Sequence, residues 1–147
     1  MNREILFKAK RKDNGEWVEG YLFDDGITKL KRYFIGGIII EPYEGTACDE
    51  WNIVGIDFCE IDIDTLCQYT GLTDKNGKKI WENDILRRDG YWDIRIEFEN
   101  GVFMVRNTDK VQYINRVVYA PISIFDIKMY EVIGNIFDNP ELLEVEQ

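Results

Sequence analysis

Three Asn-Gly pairs, at residues 14–15, 76–77 and 100–101, punctuate this chain. The first stands between ILFKAK (5–10) and WVEGYLF (17–23), the third between YWDIRIEF (91–98) and VFMVR (102–106). In these flanks apolar side chains alternate with polar or small ones. Both residues of an Asn-Gly pair tolerate positive φ, so the pair between alternating segments predicts a β-hairpin. Asp24-Asp25-Gly26 adds another turn. Residues 33–41, YFIGGIIIE, read as a strand broken or bulged at Gly36-Gly37. A loop is expected at 42–51, then a longer alternating strand at 52–64. After the second Asn-Gly pair, Ile80 begins a new alternation, and Glu82-Asn83-Asp84 forms a polar turn that wants positive φ at Asn83. Ile85-Leu86 opens the next strand, and apolar runs at 117–122 and 129–137 complete the set. The one helix signal is Asn139-Pro140-Glu141, an N-cap followed by proline at the first helical position. Short strands joined by tight turns at this spacing predict a mainly β protein, built as a small barrel or sandwich.

Composition decides which chemistries such a scaffold can carry. A chain of 147 residues suffices for one compact domain or two very small ones, without a metal or disulfide staple. It contains no histidine. That removes Ser-His-Asp and Cys-His catalysis and the HExxH metalloenzymes, together with the commonest proton-transfer group near neutral pH. Neither GxxxxGK[ST] nor GxGxxG occurs. An enzyme would have to work with carboxylates, lysine or tyrosine, and that reading is the least favoured of those considered. The three cysteines, Cys48, Cys59 and Cys67, form no CxxC pair. They read as small apolar side chains in a reducing compartment, so neither a metal nor a cofactor is expected. No apolar run approaches the roughly 18 residues of a membrane span, and MNREILFKAKRKD lacks a signal peptide's apolar core. A cytoplasmic location is the expectation.

Net charge is −10, unevenly spread: residues 33–66 carry eight acidic and no basic side chains, and 129–147 carry five acidic and none basic. Such a protein repels nucleic acid at long range, so general nucleic-acid binding is disfavoured. A local contact through Lys75, Lys78, Lys79, Arg87 and Arg88, with Trp92 nearby, is the alternative, weighed against the plainer view that these are solvated edges. Glu60, Asp62 and Asp64 alternate along one strand with Asp57 close by, which could suit a hard cation. A solvated polar face opposite Ile61 and Ile63 explains them better. The aromatics Trp51, Trp81, Trp92, Tyr69, Tyr91 and Phe98 could line a peptide groove or stack on bases, but most are expected in the core, with one or two at most both exposed and functional. Ile38, Ile39 and Ile40 are consecutive, so their side chains emerge on both faces of a strand. A symmetry mate covering one face is expected to make them oligomer contacts, with the C-terminal half as the competing cover.

Two stretches, TGLTDKNGKKIWENDI and the distant EVIGNIFDNPELLE, together with the opening REILFKAKRKDNGEWVEGYL, resemble the YopX family of phage and prophage proteins. Members usually have glycine where Asn83 stands, and asparagine is the best other residue at positive φ. The resemblance implies an SH3-like barrel over residues 65–147, ending in a short helical turn, and a β-rich N-terminal oligomerisation region over 1–64. It also implies a homo-oligomer, and it supplies no activity. The expected function is that of a non-enzymatic, oligomeric protein-binding module, a phage or prophage accessory protein partnered by itself and by a host or phage protein. The alternative is a small barrel that contacts nucleic acid through the basic turn region.

Overall fold

A computed structural model describes residues 3–26, 29–42, 51–108 and 118–143, with the backbone alone at 42, 51 and 52. Cys48 and the body of the loop expected at 42–51 lie outside the described residues, as do the Trp51 side chain and part of the 117–122 run. The protein is mainly β, and among the described residues its helical content is three short 3₁₀ turns, at Ile122–Ile124, Ile127–Met129 and Pro140–Leu142. It divides into two compact units, one of residues 5–66 and one of residues 67–147 with 1–4.

In the first unit, β1 (Phe7–Arg11) and β2 (Trp17–Asp24) form the hairpin that Asn14-Gly15 predicts, with Gly15 at φ 72°. β3 (Tyr33–Pro42) pairs antiparallel with β2 on one side and with β4 (Trp51–Thr73) on the other, and β4 also pairs with β1. Among the described residues the pairings therefore close a ring, β1–β2–β3–β4–β1. Its core is small: Ala9, Ile35 and Ile61 are fully buried, with Phe7, Val18, Leu22, Tyr33 and Leu66 packed around them. β4 does not stop at 64, as the sequence pattern suggests. It continues to Thr73 through Thr65, whose hydroxyl accepts the Lys10 amide (2.8 Å) and donates to the Asp62 carbonyl (2.7 Å). A polar residue so satisfied can sit in a continuous strand.

In the second unit the last residues of β4 pair with β5 (Lys79–Trp81). A five-stranded antiparallel sheet follows in the order β10-β6-β7-β8-β9, built from β6 (Asp84–Arg87), β7 (Ile94–Glu99), β8 (Val102–Asn107), β9 (Tyr119–Pro121) and β10 (Glu131–Asn135). β7 and β8 are joined by Asn100-Gly101, both at positive φ (52° and 80°), which matches the twist of a two-residue hairpin. The core is larger here: Ile80, Leu86, Ile94, Ile96, Phe103, Val105, Ile127 and Tyr130 pack together. The run at 129–137 yields a five-residue strand with a bulge between Val132 and Gly134. The expected short helical turn at Asn139-Pro140-Glu141 is present, but without the expected side-chain cap. Pro140–Leu142 is one 3₁₀ turn, and Asn139 does not cap it with its side chain. Its Oδ1 instead accepts the Asn135 amide at 3.3 Å, and a side chain so engaged cannot satisfy the next turn.

Asp74 explains why the Asp-Lys-Asn-Gly turn has this composition. Its carboxylate is buried and accepts the amides of Asn76 (2.8 Å), Lys78 (2.9 Å) and, from β10, Val132 (3.0 Å). The Lys75 amide donates to the Tyr130 carbonyl at 2.9 Å, so the turn is bonded to the end of the chain twice over. Asn83 takes φ 69°, as expected, and its amide donates to the Ile96 carbonyl (2.8 Å) while its own carbonyl accepts from Ile136 (3.1 Å).

Candidate functional site

β2 changes partner half-way along. Residues 17–20 pair with β1 and residues 21–24 with β3. Beyond Gly36, β3 therefore keeps only β4 as a neighbour among the described residues, and the two run on as a ribbon through the pairs Gly37↔Asp57, Ile38↔Ile56, Ile39↔Gly55 and Ile40↔Ile53. Gly36 is required where β2, β3 and β4 crowd together, because a Cβ there would fall on the Asp57 carbonyl oxygen.

Among the described residues the ribbon is apolar and uncovered. Ile38, Ile39, Ile40, Ile53, Val54 and Ile56 are 47–66% exposed, and Tyr21, Phe23 and Phe58 beside them are 41–55% exposed. Directly paired strand residues share a face, so Ile38 and Ile56 lie on one side and Ile39 on the other. The three isoleucines singled out in the sequence thus do emerge on both faces. Ile53, Val54, Ile56 and Phe58 join them without having been singled out. Their signal was the run IVGI at 53–56, which reads by itself as an ordinary strand. Phe23 and Phe58 meet edge to face, with ring centroids 4.9 Å apart. On the rim, Arg32 and Lys12 hold Glu60 with contacts of 2.8 and 3.3 Å. The Arg32 hydrogen bond is the main cause that brings the Glu60 carboxyl down to about 2. At the root of the ribbon a pocket of about 340 Å³ opens beside Gly37, with Glu19 and Asp57 as its acidic lining.

Four of the five basic residues weighed for a nucleic-acid contact have partners. Lys75 Nζ reaches Glu131 at 2.8 Å, and Arg87 binds Asp93 through two contacts of 2.9 and 2.7 Å. Arg88 lies 4.2 Å over the exposed Tyr91 ring and 5.9 Å from that of Tyr130. Lys79 sits 5.6 Å over Tyr69. Lys78 is exposed on the turn, and Trp92 is 39% exposed. Lys75 and Arg88 thus meet two neighbouring residues of the 129–137 run, Glu131 and Tyr130, whereas Arg87 is drawn to Asp93. Tyr130 went unnoticed in the sequence because it lies in an apolar run. Of the aromatics weighed there, Tyr69 and Trp81 are core, while Tyr91, Trp92 and Phe98 are exposed. The carboxylates on β4 are spoken for in part: Glu60 by Arg32 and Lys12, and Asp62 by the Asp64 amide at 3.1 Å. Among the described residues no three His, Cys, Asp or Glu side chains gather as a metal site, and no helix is long and apolar enough to cross a membrane.

Residues 6–144 match the family model described as YopX protein. The chain belongs to the YopX family. This YopX-family chain is also similar to the crystal structure of protein EF1440 from Enterococcus faecalis, at 26% identity and a TM-score of 0.53, over 97% of this chain and 100% of that one. A search of curated proteins finds no match. The family assignment and the structural likeness name no activity for the YopX-family chain, so its function is argued from the surfaces described above.

Proposed function

We propose that the protein is a non-enzymatic module that self-associates through the β3–β4 ribbon and binds other proteins as a phage or prophage accessory factor in the bacterial cytoplasm. The observation that carries this reading is the contrast between the two units. Among the described residues, three apolar side chains are buried in the first, against twelve in the second, while nine large apolar side chains on and beside the ribbon lie 41–66% exposed. An isolated two-stranded ribbon is marginally stable in water, and a patch of this kind marks an interaction surface. A second copy is the natural cover, because closed symmetric assemblies are the commonest way to bury such a face. Rim charges such as the Glu60–Arg32 pair favour closure over open-ended stacking.

The SH3-like reading of the second unit belongs to the same proposal. Its support is the order of strands: a four-strand meander β6-β7-β8-β9, two 3₁₀ turns, and a last strand returning beside the first. The competing reading, nucleic-acid contact through the basic turn, is weakened by the engagement of Lys75, Arg87 and Arg88. Cations held by carboxylates or rings have less to offer a phosphate.

Sedimentation velocity on the wild type and an Ile38→Glu, Ile56→Glu double variant tests the proposal. The wild type is expected to sediment as an assembly and the variant as a folded monomer. Identical sedimentation of the two would reject the ribbon as the contact.

A further inference from the structure

Gly37 has no local reason to be glycine. Its φ does not fall in the left-handed region, and a Cβ would meet nothing nearer than the Tyr21 ring at 4.0 Å. This contrasts with Gly36 next to it, where a side chain has no space. Glycine in a strand interior weakens the strand, and it often marks a place where a ligand or another backbone comes close. Here the missing side chain opens the pocket at the fork where β2 leaves β3. From Gly37 onward the β2-side edge of β3 carries no strand pairing among the described residues.

The pocket has apolar walls, Ile35, Ile39 and Tyr21, and two carboxylates in its lining, Glu19 and Asp57. Asp57 has neither a hydrogen bond nor an ion pair from its side chain among the described residues, although an arginine or lysine accompanies other acidic residues of this unit. The surrounding segment, 33–66, has eight acidic side chains and no basic one. An edge strand with a side-chain pocket beside it is how sheets take up extended peptides: main-chain bonds hold the strand, and the pocket reads alternate side chains. A second copy pairing edge to edge here would set the same acidic segment directly opposite itself, and like charges so placed are destabilising, whereas cover over the faces of the ribbon needs no such pairing.

We propose that the fork binds an extended, basic segment of a different protein, which adds as a strand to β3 from Gly37 and places a lysine or arginine side chain in the pocket beside Asp57. This site lies at the root of the ribbon and does not depend on self-association.

The probe is a fluorescein-labelled heptapeptide, Thr-Val-Thr-Arg-Val-Thr-Val, titrated into the full chain with fluorescence anisotropy at low and high salt. Versions carrying norleucine or glutamate in place of the arginine serve as controls. The arginine peptide should bind, weaken as salt rises, and exceed the norleucine peptide by about tenfold, the size of one modest charge contact. Asp57→Asn, which keeps the side-chain shape, should erase that preference. Gly37→Val should weaken every peptide while circular dichroism shows an unchanged fold. Equal binding of the arginine and norleucine peptides, no binding of any peptide, or indifference to both substitutions would overturn the proposal. So would a peptide that binds only by dissociating an assembly, since the fork would then belong to a second copy. A wild type that is monomeric yet prefers the arginine peptide would reject self-association alone.

Discussion

At the scale of single residues, the side chains that stand out in the sequence are mostly there to hold the backbone. Asp74 is the clearest case. Burial alone would raise its pKa, but the amides of Val132, Lys78 and Asn76 outweigh that and hold the carboxyl below its ordinary value. Asp74→Ala removes an ionised acceptor from three backbone donors and should cost about 2–4 kcal/mol in urea denaturation. A loss below about 1 kcal/mol would mean that water replaces the carboxylate without penalty. Trp81 is 3% exposed and packs on Tyr69 with ring centroids 5.3 Å apart. Trp81→Ala should cost about 3–5 kcal/mol, read as a drop in melting temperature, and an unchanged melting temperature would return Trp81 to the surface. Glu60 supplies a pH signature. Its folded pKa of about 2 lies below the ordinary 4.5, so its stabilising effect is fully present above pH 4.5 and fades as pH falls toward 2. NMR titration of the Glu60 carboxyl should give a midpoint near 2 in the wild type and a higher one in Arg32→Ala; a wild-type midpoint near 4.5 would contradict the ion pair.

At the scale of elements, neighbouring glycines should behave oppositely. Gly36→Ala forces a Cβ onto the Asp57 carbonyl and should destabilise the first unit by about 2–3 kcal/mol or more, whereas Gly37→Ala should leave its denaturation midpoint nearly unchanged. Equal effects would undo the description of the fork. The elements themselves were legible in the sequence where local chemistry decides them. Asn-Gly pairs and period-two alternation located the hairpins, and the need for positive φ at Asn83 followed from its polar turn alone. What was not legible depends on distant partners. Nothing between residues 60 and 70 tells a reader that Thr65 finds the Lys10 amide 55 residues away, so β4 seemed to end at 64. Asn139 looked like a cap because caps are local, but Asn135 had claimed its side chain. The pattern GGIII announced an apolar strand without revealing that β2 would abandon it after Gly36. Likewise the basic turn read as a candidate surface, and only the fold brings Glu131 to Lys75 and Tyr130 to Arg88.

At the scale of the whole molecule, the two units have unequal means of standing alone. The second has a contiguous core of eight buried side chains, whereas the first rests on Ala9, Ile35 and Ile61 inside a closed ring of strand pairings. A unit with so little interior would gain stability from a cover over its ribbon, and a second copy would make that stability depend on concentration. A net charge of −10 would keep such assemblies apart from one another in solution. Light scattering coupled to size exclusion, run on the wild type over a wide dilution series, bears on this most directly. A multiple of 17.4 kDa that persists on dilution, or falls to the monomer only at the lowest concentrations, is the expected result. A mass of 17.4 kDa at every concentration, with the first unit still folded, would contradict self-association through the ribbon.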